Sequence, residues 1–311
     1  MARLDAGTLK KATVYIGEKN FAVRQQLRDL FQGQGIKQIV VQSTIGALRD
    51  VIKEITPDLL VLADDFDPGV FDMVREIRFH QLGDNPFMLI SMLVNPNRRD
   101  VLARSIEVGV DDIIIKPVTA ERVQERLKLV TFHRRPFIAT DGYMGPERKK
   151  DDVHHMVRRI PVINTLFEKV SGREMDKFAL KAAVEGSLQK VLQAQLDSQS
   201  FRLGEVCERL VQAYDTGTIN DGVEADLMTL ADVLTDAGRV AERLKDKQLG
   251  ALCASLAENV HQIAYHYAEP TDKEIDLIRK VTMAFKMAMN APAPGAVDVS
   301  ADDMAMFSAQ T

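Results

Sequence analysis

The feature that most constrains this chain is a fivefold alternation of short apolar runs and amphipathic stretches over residues 12–131. Short runs of β-branched and other apolar residues favour strands, and apolar positions three or four residues apart favour helices. The predicted strands cover 12–16, 36–42, 58–63, 87–94 and 111–116. The predicted helices cover 21–32, 45–55, 70–79, 98–108 and 119–132.

Five β-then-α units in succession predict an α/β fold, a doubly wound five-stranded parallel sheet with helices on both faces. The third, fourth and fifth strands are apolar without interruption, as expected for strands whose two faces are both buried. Ligands of such sheets bind beyond the carboxyl ends of the strands. The side chains to inspect there are Glu18, Lys19, Asp64, Asp65, Val94 and Lys116.

The pattern changes after residue 132, and we predict four regions. Residues 1–132 form the α/β domain, and 133–160 form a basic connector rich in Gly and Pro. Residues 161–290 show helical spacing only and predict an all-α domain of bundle type. Its predicted helices cover 161–170, 173–197, 200–216, 221–246, 247–268 and 271–290. Residues 291–311 are rich in Pro, Ala, Asp and Ser, so we expect them to be disordered or ordered only on contact.

Composition excludes several classes of protein. The formal net charge of −5 provides no global basic field, so we expect no nucleic-acid partner. We find no apolar run of the ~18 residues that a bilayer-spanning helix needs, and no apolar signal segment near the start. We therefore expect a cytoplasmic protein without a membrane partner. Cys207 and Cys253 have no metal-ligand spacing and predict no disulfide framework.

Four segments carry a resemblance to a known family: 18–27, 57–69, 85–95 and 109–117. Together they resemble the receiver domain of bacterial response regulators, over about 120 residues. The resemblance implies the flavodoxin-like form of the sheet. In that family, an acidic pair after strand one and an aspartate after strand three hold Mg²⁺. The aspartate accepts a phosphoryl group from a histidine kinase, and a hydroxyl after strand four and a lysine after strand five bind its oxygens.

Matched residue by residue, the resemblance implies a phosphorylation pocket that retains two of its parts. Asp64 takes the phosphoacceptor position, because Pro68 matches the family's proline, and Lys116 takes the phosphate-binding position. The acidic pair becomes Glu18 and Lys19, and a lysine ammonium has donors only and cannot bind a metal.

The signalling positions of the pocket are changed as well. The hydroxyl position falls on Val94, which cannot hydrogen-bond an oxyanion; Ser91, three residues earlier, is a less favoured substitute. The aromatic switch position falls on Ile113. Glu18 and Asp64 remain as metal ligands, so we expect no cofactor, or Mg²⁺ bound weakly.

The retained charges also have structural interpretations. We expect Lys116 to form an ion pair with Asp64, and Lys19 to pair with Asp64 in place of the metal. Glu18 is equally well explained as a surface residue, and Asp64 as part of a solvated acidic loop with Asp65 and Asp67.

Two further segments resemble known proteins. Residues 135–152 are similar to an RPF…DYxGPxRR segment that follows the receiver in a group of bacterial stand-alone regulators; we favour a Gly/Pro turn that packs Phe137 and Tyr143 against the receiver. Residues 231–260 resemble a histidine-phosphotransfer hairpin. Its histidine, lysine and glycine positions fall on Asp232, Thr235 and Asp236, which implies that phosphotransfer chemistry is lost.

These resemblances predict a signal-transduction protein of the response-regulator type that acts by protein–protein contact, as a pseudo-receiver without phosphorylation. The alternative is a conventional phosphorelay regulator phosphorylated on Asp64. A third class, an output enzyme or nucleic-acid binder in the helical half, lacks a phosphate loop, metal cluster, nucleophile motif or helix-turn-helix signature. We therefore expect no enzyme. The expected partners are a histidine kinase, another regulator, or a second copy paired through a long helix such as 173–197.

Overall fold

Five parallel strands form the central sheet in the computed structural model, which describes residues 4–140, 142–148 and 158–290. The strands are β1 (Thr13–Gly17), β2 (Gln38–Gln42), β3 (Leu59–Ala63), β4 (Leu89–Val94) and β5 (Asp112–Ile115). Their order is β2-β1-β3-β4-β5, the flavodoxin-like order. The helices that follow them are α1 (Phe21–Gly33), α2 (Ile45–Glu54), α3 (Val70–Arg78), α4 (Arg99–Glu107) and α5 (Ala120–Phe132). The predicted fold class is confirmed.

The two faces of the sheet carry separate cores, because successive side chains of a strand point to opposite faces. Leu60 and Leu62 of β3 pack with α2, α3 and α4, whereas Leu59 and Val61 of the same strand pack with α1 and α5. The second core also includes Leu9 of a short 3₁₀ helix, Thr8–Lys11. This alternation explains why the apolar runs of the sequence are uninterrupted.

The predicted connector begins with ordered structure in the described residues. β6 (Phe137–Ala139) and β7 (Met144–Pro146) form an antiparallel hairpin. The Phe137 and Ile160 backbones exchange two hydrogen bonds of 2.8 Å. We call residues 137–146 the hairpin. Residue 141 and residues 149–157 of this region lie outside the described residues.

A buried arginine lies at the amino ends of β4 and β5, which we call the amino edge of the sheet. Arg78 of α3 is fully buried and donates to the backbone carbonyl groups of Gly109, Pro86 and Met88 at 2.7–2.9 Å. Its Nη2 also donates to Asp111 Oδ2 at 2.7 Å. Burial lowers the pKa of Arg78 to about 10, although the Asp111 carboxylate opposes this shift.

The Asp111 carboxylate also holds Arg134, which lies over the Phe137 ring of the hairpin. Asp111 Oδ1 accepts a hydrogen bond from Arg134 Nε at 2.8 Å. The guanidinium groups of Arg78 and Arg134 lie over the buried Phe137 ring, 5.3 and 4.9 Å from its centroid, and Phe87 meets that ring edge-on at 5.5 Å. The favoured interpretation of the connector, a turn that packs Phe137 against the α/β domain, is confirmed in this respect.

A second contact at the amino edge brings α6 (Thr165–Val170) onto the sheet, although the sequence pattern assigned 161–290 to a helical domain. Leu166 and Val170 lie in the core beneath α1 and α5. Lys169 Nζ bonds to Asp58 Oδ2 at 2.7 Å, and that oxygen also accepts from the Thr13 backbone N–H at 2.7 Å.

The remaining helices are α7 (Lys177–Thr216), α8 (Asp221–Arg243), α9 (Lys247–Ala264) and α10 (Asp272–Met289). α7 is one helix of 40 residues, so the predicted break between 197 and 200 is wrong. The segment 198–200 (Ser-Gln-Ser) contains neither Gly nor Pro, and polar residues alone do not end a helix. None of the described helices has the length and apolarity to cross a membrane.

The described residues group into two compact units, the first ending at Ser198 and the second beginning at Gln199. The boundaries predicted from sequence remain predictions. In the second unit, α8 and α9 pack closely at small residues: a Cβ added to Gly238 would lie 3.4 Å from the Cβ of Cys253. Cys207 and Cys253 are buried free thiols, and burial raises both pKa values, that of Cys253 to about 12. Residues 291–311, predicted as a tail, lie outside the described residues.

Candidate functional site

The predicted site residues meet at the carboxyl ends of the strands, which we call the carboxyl edge. Glu18 follows β1, Asp64 follows β3 and Lys116 follows β5. Backbone hydrogen bonds extend the ladder to these positions: the Asp64 N–H donates to the Leu93 carbonyl and the Lys116 N–H donates to the Val94 carbonyl, both at 2.9 Å. The backbone therefore fixes where each side chain begins.

Glu18 is buried, and both of its carboxylate oxygens are engaged. Oε1 accepts the Asn20 backbone N–H at 2.8 Å, and Oε2 accepts Lys116 Nζ at 3.3 Å. Asn20 is also the N-cap of α1, where its side chain accepts the Val23 N–H. The start of α1 thus holds Glu18 in place, and the interpretation of Glu18 as a surface residue is wrong.

The two lysines of the site converge on Asp65. Lys116 Nζ lies 3.5 Å from Asp65 Oδ1, and Lys19 Nζ lies 3.5 Å from Asp65 Oδ2. Burial acts to raise the pKa of Asp65, but the charges of Lys116 and Lys19 together with hydrogen bonds to the carboxylate outweigh it and lower that pKa. The described residues include no ion pair of either lysine with Asp64, so the predicted Lys116–Asp64 and Lys19–Asp64 pairs are wrong. The lysines instead bind the adjacent, half-exposed carboxylate.

Asp64 has a neutral partner. Asp64 is buried, with only 8% of its surface exposed. Its Oδ1 accepts a hydrogen bond from Asn95 Nδ2 at 3.1 Å. Oδ2 is buried and has no hydrogen-bond partner within the described part of the chain. Sequence reasoning missed Asn95, although its position directly after β4 was a sufficient signal.

The signalling positions are apolar. Val94 is the last residue of β4 and is fully buried. Ser91 is buried inside β4, paired with Asp112 at the start of β5, and so is remote from the carboxyl edge along its strand. Ile113 packs against the core under α2, α3 and α4. No side-chain hydroxyl therefore replaces the one missing at Val94 on this strand.

The donor set does not fit Mg²⁺. The ion takes oxygen ligands in near-octahedral geometry. Here Glu18 is bonded to an N–H and an ammonium, and the second acidic position holds Lys19. Throughout residues 4–140, 142–148 and 158–290, no group of three or more His, Cys, Asp or Glu side chains is placed to hold a metal ion. Asp64 Oδ2 is a single free oxygen, which is insufficient as a metal site.

The cations of the site pair with carboxylates other than Asp64. A carboxylate that attacks phosphorus needs cations beside it to offset the repulsion between two anions. In this site the lysine ammonium groups contact Glu18 and Asp65. Asp64 Oδ1 instead accepts a hydrogen bond from the uncharged side-chain amide of Asn95.

Comparisons with known proteins add likeness to solved structures alone. No protein-family model matches this chain, and no curated protein is similar enough in sequence to be paired with it. Among solved structures, full-length FixJ from B. japonicum is 10% identical, covers 88% of this chain and 98% of its own, and superposes with a TM-score of 0.35. The fold assignment rests on the strand order and the two core layers of the protein itself.

Proposed function

We propose that this protein is a signal-transduction protein of the response-regulator type whose receiver-like unit works without phosphorylation, by contact with protein partners. The proposal rests on the receiver resemblance of the sequence together with the flavodoxin-like strand order. It includes a cytoplasmic location, the absence of an output enzyme, and a histidine kinase or another regulator as the partner.

One observation carries the phosphorylation-independent part. Lys116, the residue matched to the phosphate-binding lysine, is bound to Glu18 and Asp65. An incoming phosphoryl group would have to break both contacts without a metal ion or a hydroxyl to compensate. The charge network thus occupies the groups that a phosphoryl group would need.

The test is phosphorylation in vitro. The full chain is incubated with acetyl phosphate and Mg²⁺, and with beryllofluoride and Mg²⁺, and is followed by intact mass and by NMR shifts near Asp64. We expect no adduct and no Mg²⁺-dependent shifts. A phospho-adduct that disappears in Asp64→Asn would refute the proposal.

A conventional phosphorelay regulator is the second candidate, and the free oxygen of Asp64 favours it. Oδ2 lies at the position matched to the phosphoacceptor and has no hydrogen-bond partner among the described residues. The same experiment decides between the two, because only this candidate predicts an adduct on Asp64.

Self-association is a further part of the proposal. The 40-residue α7 is longer than the helix predicted over 173–197, and an exposed Phe178 lies in its first turn. We expect light scattering at several concentrations to show a dimer. A monomeric mass at every concentration would contradict this part alone.

A further inference from the structure

Helix α10 carries two apolar faces. Ile278, Val281 and Phe285 are fully buried on one of them. Met283 and Met287, one turn apart on another, are 62% and 65% exposed. Methionine is flexible and polarisable, and it is common on surfaces that bind a partner segment. Within the described part of the chain, nothing covers these two methionines on the outer face of α10.

A shallow groove of about 610 Å³ follows this outer face. It is lined by Arg279, Thr282, Met283, Lys286, Met287 and Asn290. We call it the α10 groove. Arg279 bonds to Asp215, so its charge is offset. Lys286 lies between the two methionines in sequence and places a positive charge beside them. The groove thus suits an apolar segment with carboxylates next to it.

The chain continues directly from this groove with a segment of that chemistry. Residues 291–311 contain three aspartates and no lysine or arginine. Asp302 and Asp303 come immediately before Met304, Met306 and Phe307. We propose that the 302–307 segment docks in the α10 groove of its own chain, with its apolar side chains on Met283 and Met287 and its carboxylates near Lys286.

The linking residues are long enough for this contact. Asn290 follows α10, and Met283 lies seven residues back along the helix, about 10 Å at 1.5 Å per residue. A random coil of about 12 residues has a root-mean-square end-to-end distance of roughly 20 Å, which exceeds this separation. Pro292 and Pro294 lack the amide hydrogen that a continuing helix would need, so the sequence favours a change of direction after Asn290.

Tethering makes a weak contact sufficient. A segment on a short flexible link is present at an effective concentration of the order of millimolar. Docking therefore requires only about millimolar affinity in trans. A second copy of the chain is the competing occupant, but pairing two α10 grooves would bring the two Lys286 ammonium groups onto one surface, and like charges repel. The acidic segment meets no such repulsion.

The test uses ¹³C-methyl methionine NMR of the full chain. Its Met283 and Met287 methyl signals are compared with those of a chain ending at Asn290 and of a full-length Met306→Ser, Phe307→Ser variant. We expect both changes to shift the two signals in the same direction. A synthetic peptide of residues 296–311, added to the shortened chain, should restore the original shifts at submillimolar to millimolar concentration, and Lys286→Glu should weaken that binding several-fold.

Met228 provides a matched control, because it is also surface-exposed, at 41%, but lies on α8. Its methyl signal should not move in either variant. Unchanged Met283 and Met287 signals in the Met306→Ser, Phe307→Ser variant would overturn the proposal even if the shortened chain failed to fold. Shifts that change with protein concentration would assign the groove to a second copy and would equally overturn it.

Discussion

The two edges of the sheet hold their charges in opposite ways. At the carboxyl edge, Lys116 contacts Glu18 at 3.3 Å and Asp65 at 3.5 Å. Lys19 contacts Asp65 at 3.5 Å, and Asp65 is half-exposed. At the amino edge, Asp111 forms ion pairs with Arg78 and Arg134 at 2.7–2.8 Å, and all three side chains are buried. The ion pairs are longer at the carboxyl edge, where the sequence predicts a functional site. They are shorter at the amino edge, where the sequence predicts none.

The difference in burial determines how much the ion pairs of each edge contribute to stability. Exposed ion pairs contribute about 0–1 kcal/mol, because water and salt screen them. Removing one partner of a buried pair costs about 3–5 kcal/mol, because the remaining charge is buried without compensation. The amino edge therefore stabilises the first unit and fixes the hairpin, whereas the pairs that Asp65 makes at the carboxyl edge contribute little to stability.

The largest expected effect follows from removing the central carboxylate of the amino edge. Asp111→Asn leaves the Arg78 and Arg134 guanidinium groups buried without their negative partner, and we expect a loss of about 3–5 kcal/mol in the free energy of unfolding of the first unit. Urea unfolding with hydrogen exchange at the Ile90 amide, which donates to Asp111 Oδ2 at 2.9 Å, measures it.

Asp65→Asn is the matched control at the carboxyl edge, since it also neutralises a carboxylate that contacts two cations. Its expected effect on the same unfolding is below about 1 kcal/mol. Equal losses from the two substitutions would remove the distinction between the edges.

The second prediction concerns the hairpin. A Cβ added to Gly145 would lie 2.7 Å from the Gly109 Cα, where the backbone cannot yield easily. We expect Gly145→Ala to destabilise hairpin docking by about 1–3 kcal/mol. The exchange rates of the Phe137 and Ile160 amides should then rise by roughly tenfold for each 1.4 kcal/mol.

Gly142→Ala tests the specificity of that effect, because none of the described residues has an atom within 4 Å of its added Cβ. Its exchange rates at Phe137 and Ile160 should match those of the unmodified protein. If Gly145→Ala also left them unchanged, the close approach to Gly109 would not control hairpin docking.

The third prediction would make the carboxyl edge chemically active. Lys19→Asp restores an oxygen ligand, and Val94→Thr restores a hydroxyl at the end of β4. We expect the double variant to show Mg²⁺-dependent shifts near Asp64 and an adduct from acetyl phosphate, neither of which the proposed function expects of the unmodified protein. Intact mass measures the adduct.

Lys19→Gln controls for loss of the ammonium alone and should bind no Mg²⁺, because it adds no carboxylate. Adding Asp64→Asn to the double variant should abolish the adduct. Failure of the double variant to bind Mg²⁺ would show that Lys19 and Val94 are not what prevents metal binding at this edge.

The sheet could be predicted from sequence because its signal is local. Runs such as 58–63 and 87–94 are apolar throughout, and their carboxyl ends necessarily meet at one edge. The grouping of Glu18, Asp64 and Lys116 follows from that geometry alone. It required no knowledge of side-chain conformation.

The pairing of charges could not be predicted in the same way. Asp64 and Asp65 are adjacent, and the choice of Lys116 between them depends on how the turn after β3 directs each carboxylate. The strands of the hairpin have three residues each, too short for an alternating pattern. An amphipathic pattern shows that α6 has an apolar face, but not that the face packs on the sheet.

The smallest expected effect is a difference in titration between the edges. Burial raises the pKa of Asp112 at the amino edge above its ordinary 3.8, against the opposing charge of Arg126. At the carboxyl edge, burial is outweighed by the charges of Lys116 and Lys19 together with hydrogen bonds to the carboxylate, and the pKa of Asp65 falls below 3.8. Carboxyl ¹³C titration should place the two midpoints on opposite sides of that value.

The consequences for stability have opposite signs. Asp65 stabilises the folded state fully above pH 3.8, and this contribution is lost as the pH falls through its lowered pKa. For Asp112, the cost of burying the ionised form is present above its raised pKa and is relieved as the pH falls toward 3.8. Lys19→Gln should raise the Asp65 midpoint and leave that of Asp112 unchanged, because Lys19 contacts only the carboxyl edge. Midpoints that move together would show that the charges of the two edges are coupled through the sheet.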